Sequence, residues 1–276
     1  MLVVYNLIMN FFDSLGQRIV GSNSILCIGL DPDAEKLPEG ISITEFNQAI
    51  VAATHAYACV YKLNFAFYEA AGASGWVALK ETLKCIPADI PVIADAKRAD
   101  IGNTSQAYAR AIFEELNFGA VTVNPYLGYD GVAPFVEYQD RGVFVLCRTS
   151  NPGAADFQAV TVESNGVVAP LYEIVAEKAA QWNTHGNIGL VMGATGATEL
   201  GHIRRKHPEL PFLVPGVGTQ GGDLASVVQD GHSARPAGLL INVSRQIIFA
   251  SSGSDFAEAA AQAAKTLRDK INSYRQ

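Results

Sequence analysis

The sequence lacks the patterns that cysteine and histidine form in metal sites and disulfide frameworks. No CxxC pair occurs among its four cysteines, Cys27, Cys59, Cys85 and Cys147. Its five histidines show neither an HExxH motif nor another paired spacing. These absences argue against a zinc site and against a Ser-His-Asp triad. Widely separated cysteines also predict a cytoplasmic protein whose thiols stay reduced.

Basic runs and long hydrophobic stretches are missing as well. A formal net charge of −7, with no long run of lysine or arginine, argues against nucleic acid as a partner. The apolar start of the chain, MLVVYNLI, is too short to span a membrane and lacks the basic region of a signal peptide. No membrane association is therefore expected. Because a helical pattern begins close to Met9, residues 1–8 are expected to be a dispensable or misannotated extension.

No linker-like segment divides the chain, and no GxGxxG motif follows the first predicted strand, where a dinucleotide-binding fold would have one. Short apolar runs instead alternate with segments of helical character such as 167–182. Eight such runs occur, at 24–30, 58–64, 90–96, 119–124, 142–148, 187–193, 211–217 and 237–243. The alternation predicts one (β/α)8 TIM barrel domain over residues 1–276, with a doubly wound sheet as the competing architecture.

Two longer polar loops interrupt the alternation, at 149–166 and 229–237. Long loops of a compact domain often carry function. Both are therefore expected to be surface excursions or coverings of the active site.

Charged residues stand at the predicted ends of the first three strands. Asp31 follows the first strand, Lys62 lies in the second, and Asp95 and Lys97 lie in the third. The carboxyl ends of barrel strands hold the catalytic groups, and residues two apart on a strand face the same way. Lys62, Asp95 and Lys97 are therefore expected to meet at the barrel mouth. Asp100 adds a second carboxylate close by in the sequence.

Each of these charges also has an ordinary structural explanation. Asp100 could be the N-cap of the helix that follows it, and Lys62 or Lys97 could extend from a strand end to reach water. As a group on adjoining strands, however, the charges are costly to desolvate, and such clusters in barrel mouths usually serve function. We therefore prefer the functional interpretation for the group.

A second set of residues follows the seventh and eighth predicted strands, where barrels often bind phosphate. The segment PGVGTQGGD combines glycines, whose backbone N–H groups can approach an anion, with the amide of Gln220. Arg245 directly follows the eighth strand in INVSRQI, and its guanidinium suits a phosphate dianion. The pair predicts a phosphate site, against the alternative that Arg245 forms a surface salt bridge.

The third feature is the segment CRTSNPGAADF after the fifth strand. Its Ser150 and Asn151 could hydrogen-bond a heterocyclic ligand, while Pro152 and Gly153 favour a turn. Spacing alone favours this interpretation no more than an ordinary loop, so both stay open.

The order of these segments carries a family resemblance. DAKRADIGNT resembles the signature D-x-K-R-x-D-I-x-x-T of the orotidine 5′-phosphate decarboxylase family, and GLDPD, YKLN, TSNPG, PGVGTQGGD and NVSRQI fall where that family has its other site segments. The resemblance extends from about residue 22 to residue 250 and is strongest to the longer bacterial branch. It implies decarboxylation of orotidine 5′-monophosphate to uridine 5′-monophosphate by a homodimer, with no metal or organic cofactor.

The resemblance also implies roles for the charged group. Lys97 would donate the proton to C6 of the pyrimidine, and Asp95 would lie against the departing carboxylate. Lys62 and Asp31 would contact ribose hydroxyls and order the charge network.

The remaining site residues take their implied roles from the same resemblance. Asp100 and Thr104 would reach into the site of the partner subunit, so that the homodimer is required for activity. Ser150 would contact the pyrimidine, and Gln220 and Arg245 would bind the phosphate.

Three other functions compete with this one. Related metal-dependent sugar-phosphate lyases or decarboxylases use a carboxylate on the second strand as a magnesium ligand, whereas this chain has Lys62, which would repel the cation. A Schiff-base aldolase needs a lysine free of strong carboxylate pairing, and both lysines here lie near Asp95. A non-catalytic nucleotide-binding protein would explain Arg245 and Gln220 but not the lysines and aspartates.

Overall fold

A closed barrel of eight parallel strands dominates the computed structural model of the protein, which describes residues 9–164, 166–217 and 223–275. The described strands are β1 (Leu26–Leu30), β2 (Val60–Asn64), β3 (Val92–Arg98), β4 (Ala120–Val123), β5 (Gly142–Arg148), β6 (Thr161–Ser164), β7 (Val167–Pro170), β8 (Ile188–Met192), β9 (Phe212–Pro215) and β10 (Leu239–Val243). Consecutive strands pair from β1 to β5 and again from β8 to β10. The pairing of β5 with β8 passes over the hairpin of β6 and β7, and the pairing of β10 with β1 closes the barrel.

The barrel strands are apolar because both of their faces are covered. Every residue of β1, β8 and β10 is buried. One face of each strand fills the barrel and the other packs against the surrounding helices, which is why the sequence shows continuous apolar runs instead of alternation. The predicted (β/α)8 architecture is confirmed, and each of the eight predicted runs coincides with a barrel strand, although β3 extends two residues beyond its run.

Helices connect the strands and cover the outside of the barrel. The described α-helices are α1 (Phe11–Ser22), α2 (Ile43–Thr54), α3 (Phe65–Ala70), α4 (Gly72–Cys85), α5 (Gly102–Arg110), α6 (Tyr129–Val136), α7 (Leu171–Trp182), α8 (Ala197–Lys206), α9 (Leu224–Asp230), α10 (Arg245–Ile248) and α11 (Phe256–Ser273). Capping boxes begin α1, at Asn10 and Asp13, and α2, at Ser42 and Glu45. Across the described ranges, no helix has both the length and the apolar character needed to cross a membrane.

Helix α1 closes the barrel at the N-terminal ends of its strands. The rings of Phe11 and Phe12 lie 6.2 and 5.4 Å from that of Phe144, in edge-to-face contacts. Gly142 at the start of β5 leaves room for this cluster, because a Cβ there would lie 2.5 Å from Phe11. The polar strand ends therefore lie at the other end of the barrel.

The two long loops predicted from the sequence have different positions. The first contains a 3₁₀ turn, Pro152–Asp156, and then the antiparallel hairpin of β6 and β7, so it is an excursion beside the carboxyl end of β5. The helix expected from residue 167 begins only at Leu171 because 167–170 form the second strand of that hairpin. The loop at 229–237 leads into the N-terminal end of β10, and it therefore cannot cover the opposite, polar end of the barrel.

Candidate active site

Four charged side chains meet where β1, β2 and β3 end. Nζ of Lys62 lies 2.7 Å from Oδ2 of Asp95 and 3.7 Å from Oδ1 of Asp31. Nζ of Lys97 lies 2.5 Å from the other Asp95 oxygen, Oδ1. The neighbouring strands β2 and β3 bring these residues together, since Asn64 pairs in register with Asp95. The structure confirms the prediction that Lys62, Asp95 and Lys97 lie together at the barrel mouth.

Thr122 on β4 completes the surroundings of Asp95, and the sequence interpretation missed it. Its hydroxyl donates to Oδ1 of Asp95 at 3.0 Å and accepts from the backbone N–H of Lys97, also at 3.0 Å. Thr122 is the one polar side chain in the buried strand AVTV. A buried hydroxyl in such a strand needs a partner, and this was the available signal.

Lys97 reaches Asp95 through an unusual backbone conformation. Its φ is +46°, in the left-handed region that side chains other than glycine seldom adopt, and the register between β3 and β4 shifts between Ala94 and Arg98. Residues held in this region cluster at functional sites. The closeness of the Lys97 and Asp95 side chains therefore depends on this local irregularity as well as on their spacing.

Opposite charges hold the buried pair Lys62 and Asp95 in their ionised forms. Their exposed fractions are only 3% and 9%. Burial alone would lower the pKa of Lys62, but the carboxylates of Asp31 and Asp95 outweigh it and raise that pKa. Burial opposes ionisation of Asp95 in the same way, and the two ammonium groups nevertheless hold its pKa well below the usual range. A lysine with a raised pKa is a fixed cation and a poor Schiff-base nucleophile.

Lys97 differs from Lys62 in its access to the barrel mouth. Its side chain is 47% exposed, whereas that of Lys62 is 4% exposed. Lys62 is therefore not a lysine that extends to water. Lys97 presents an ammonium group both to Asp95 and to the space in which a ligand would lie.

The neighbouring Arg98 turns to the outside of the barrel, because adjacent residues of a strand face opposite ways. Its guanidinium contacts Glu69 at 2.6 Å and stacks over Phe65 and Tyr108. It thereby ties β3 to helices α3 and α5 and takes no part in the charge network.

Asp31 carries an unsatisfied acceptor. Its Oδ1 is buried and has no hydrogen-bond partner among the described residues, and Nζ of Lys62 at 3.7 Å is beyond hydrogen-bond distance. A buried carboxylate oxygen without a donor is costly. A ligand hydroxyl would satisfy it.

Asp100 lies apart from the charge network of its own chain. Its carboxylate accepts from the adjacent N–H of Ile101 at 2.8 Å, and no described cation lies within salt-bridge distance of it. The N-cap of α5 is Ile101, so the alternative of Asp100 as the cap is wrong. Thr104 is exposed in the first turn of α5.

The end of β10 contributes the predicted Arg245 and two residues that the sequence interpretation missed. Arg245 is exposed at the start of α10 and forms no salt bridge with a described residue, so the surface salt-bridge alternative finds no support. Asn242 and Ser244 line the same small cavity as Arg245 and Asp31. Gln220 lies outside the described residues.

Ser150 lies after β5, half-buried, with its carbonyl oxygen accepting from the hydroxyl of Thr195 at 3.4 Å. A Cβ at Gly193 would lie 2.6 Å from the backbone nitrogen of Ser150, so the glycine permits the close approach of β5 and the turn after β8. The loop is thus held at the carboxyl end of the barrel.

The cysteines form no disulfide among the described residues, and Cys27 is buried near the charge network. All four cysteines are free, and burial raises the pKa of the Cys27 thiol, beneath the charge network, to about 12. A thiol that stays protonated is not a nucleophile at neutral pH. Among the described residues, no three His, Cys, Asp or Glu side chains are grouped as a metal site.

Comparisons with known proteins agree on one family for this chain. Residues 24–262 match the family model described as Orotidine 5′-phosphate decarboxylase / HUMPS family. The orotidine 5′-phosphate decarboxylase of Dehalococcoides mccartyi is 54% identical over 268 residues, which are 97% of this chain and 99% of that protein. The structure of Leishmania donovani OMP decarboxylase is 42% identical, with a TM-score of 0.83 over 97% of this chain and 99% of that one. The structure of Leishmania donovani UMP synthase is 44% identical, with a TM-score of 0.85 over 97% of this chain and 57% of that one.

Proposed function

Because the chain belongs to the orotidine 5′-phosphate decarboxylase family and decarboxylates orotidine 5′-monophosphate to uridine 5′-monophosphate in pyrimidine biosynthesis, we propose that Lys97 supplies the proton that replaces the carboxylate at C6. The observation that carries this proposal is the pairing of its ammonium with Asp95 at 2.5 Å while half of its side chain stays accessible. Lys97 is thus both oriented and open to substrate.

The reaction requires charge stabilisation and a proton at the same place. The bond between C6 and the carboxylate carbon breaks, CO2 leaves, and the electron pair remains at C6. No position of the ring delocalises that pair, so an oriented cation beside C6 lowers the barrier. The Lys97 ammonium then gives its proton to C6, and the neutral amine regains a proton from water.

Asp95 contributes by its charge. Because Lys62 and Lys97 hold its pKa low, it is a carboxylate when substrate binds, and it would lie near the carboxylate of the substrate. The repulsion between these anions is relieved when CO2 leaves. Binding energy from distant parts of the substrate, above all the phosphate, offsets the unfavourable contact.

The rest of the substrate is assigned to the surrounding polar groups. Asp31 and Lys62 bind ribose hydroxyls, which would give the unpaired Oδ1 of Asp31 its donor. Ser150 contacts the pyrimidine. Arg245 and Gln220 bind the phosphate, and Arg245 is suited to this because no described carboxylate neutralises it.

We expect the substitution Arg245→Ala to act through the phosphate alone. It should lower kcat/KM for orotidine 5′-monophosphate by about 10²- to 10³-fold, because charge-assisted hydrogen bonds to a dianion are lost. On phosphate-free orotidine the variant and the unaltered enzyme should have equal, low kcat/KM. Arg235→Ala, at the opposite end of the barrel, is the matched control and should change neither value. An equal loss on both substrates would show that Arg245 does not bind phosphate.

A homodimer with shared sites is the second part of the proposal. Asp100 and Thr104 would act in the site of the partner subunit, which accounts for the distance of Asp100 from the charges of its own chain. Large apolar side chains are exposed on the connections that leave β3 and β4, beside Asp100; these are Ile101, Tyr126, Leu127 and Tyr129. Exposed apolar side chains grouped in this way indicate an interaction surface, and a second copy of this chain would cover it.

The proposal also includes the cellular setting. The enzyme acts in the cytoplasm on a small-molecule substrate, without a metal or organic cofactor and without nucleic acid. Lys62 lies near the end of β2, and its ammonium group would repel a metal cation at the barrel mouth. Its position therefore favours metal-free chemistry.

A further inference from the structure

The hydroxyl of Ser244 is buried and has no hydrogen-bond partner among the described residues. Ser244 follows β10 and immediately precedes Arg245. A buried hydroxyl without a partner costs free energy relative to a smaller apolar side chain. A bound ligand could provide the hydrogen bond that this hydroxyl lacks.

Helix capping does not supply that function. Ser244 is the N-cap residue of α10, a position where serine commonly accepts a backbone N–H through its hydroxyl. Here the side chain makes no capping hydrogen bond, and the backbone has φ −120° and ψ −86° instead of the usual extended conformation. Only the carbonyl oxygen of Ser244 serves the helix, accepting from Ile247 and Ile248 at 2.8 and 3.0 Å.

The side chain of Ser244 instead lies over Gly29 on β1. A Cβ at Gly29 would be 2.7 Å from Cβ of Ser244, 3.2 Å from its hydroxyl oxygen and 3.3 Å from Oδ2 of Asp31. The missing side chain of Gly29 thus makes room for both residues. Gly29 pairs in register with Lys62, so Ser244 lies at the level of the charge network.

Asp31 and Ser244, each with one buried unsatisfied polar atom, therefore line one small cavity. Oδ1 of Asp31 can only accept a hydrogen bond, whereas the hydroxyl of Ser244 can donate one. A sugar hydroxyl matches this pair, because it can donate to the carboxylate and accept from the serine at the same time.

We propose that Ser244 is a substrate-binding residue that, together with Asp31, binds one ribose hydroxyl of the nucleotide. The inference rests on the proposed assignment of Asp31 to the ribose. A phosphate is the poorer occupant, since its dianion would lie beside the carboxylate of Asp31, while Arg245 stands at the exposed edge of the same cavity. Ser244 thus contributes to recognition of the sugar.

The test measures binding of uridine 5′-monophosphate and its 2′-deoxy and 3′-deoxy forms by calorimetry. Ser244→Ala should weaken binding of the full nucleotide about fivefold to tenfold, the size expected for one neutral hydrogen bond. For one of the two deoxy forms, the unaltered protein and the variant should bind equally. The ligand-free variant should unfold at the same or a higher temperature, because a buried unpaired hydroxyl has been removed. Ser74→Ala, on the exposed helix α4, should change none of these quantities.

The failing outcomes are distinct. If Ser244→Ala weakens binding of all three nucleotides equally, the inference is overturned. It is also overturned if the weakening disappears only when phosphate-free uridine replaces the nucleotide, because that result would indicate a phosphate contact. Asp31→Ala, measured in parallel, separates this failure from failure of the ribose assignment. If Asp31→Ala distinguishes a deoxy form and Ser244→Ala does not, only the role of Ser244 is wrong. If neither does, the ribose assignment of Asp31 is wrong as well.

Discussion

Lys97→Ala should lower kcat for CO2 release by about 10⁴-fold or more, since it removes both a general acid and an oriented cation at C6. The affinity for uridine 5′-monophosphate should change by less than about tenfold, because the product has no carboxylate and its phosphate contacts remain. Turnover is followed by loss of substrate absorbance, and affinity by calorimetry. The variant should fold, because Asp95 keeps Lys62 at 2.7 Å and Thr122 at 3.0 Å.

The matched control is Lys84→Ala, which removes an exposed lysine of α4 that pairs with Glu81. It should leave kcat and affinity unchanged. Retention of kcat within about tenfold of the unaltered enzyme by Lys97→Ala would contradict the assignment of the proton donor, since a general acid alone contributes about 10²-fold or more. Parallel loss of product affinity and turnover would instead indicate that Lys97 mainly binds ligand.

Mixing inactive Lys97→Ala and Asp100→Asn proteins should restore about a quarter of the activity of the unaltered enzyme. Random exchange makes half of the dimers mixed, and a twofold interface gives each mixed dimer one site with both native residues. Subunit exchange is followed with two tags of different mass, and activity is measured after exchange is complete.

A second mixture, of Lys97→Ala with Asp95→Asn, is the control. Both of these residues belong to the same site of one chain, so every site in the mixed dimer carries a lesion and no activity should return. If exchange is complete and the first mixture also stays inactive, Asp100 does not act across the interface.

Much of the barrel could be predicted from the sequence because its signals are local. Continuous apolar runs mark parallel strands covered on both faces, and all eight were recognised. The meeting of Lys62, Asp95 and Lys97 followed from a general property of barrels, that the carboxyl ends of neighbouring strands converge. These inferences need only the order of the elements.

The details that the sequence did not reveal depend on contacts between distant segments. Thr122 reaches Asp95 from another strand, and the left-handed conformation of Lys97 accompanies a register shift against that strand. Ser244 lies over Gly29, which is more than two hundred residues earlier in the chain. A pattern read along one segment carries no information about such neighbours.

The irregular insert shows the same limit. Residues 167–170 looked like the start of α7, and pairing with β6 makes them a strand. The composition of their partner, 161–164, predicts part of a polar loop. Short antiparallel pairs depend on each other, so neither segment is recognisable without the other.

We propose that the charge network of Asp31, Lys62, Asp95 and Lys97 carries out the decarboxylation without a metal ion. The most direct test is to incubate the purified protein with orotidine 5′-monophosphate and excess EDTA and to follow the ultraviolet absorbance of the substrate. Absorbance should fall at the same rate with and without EDTA. A rate abolished by EDTA and restored by added Mg²⁺ would show instead that the reaction depends on a metal ion.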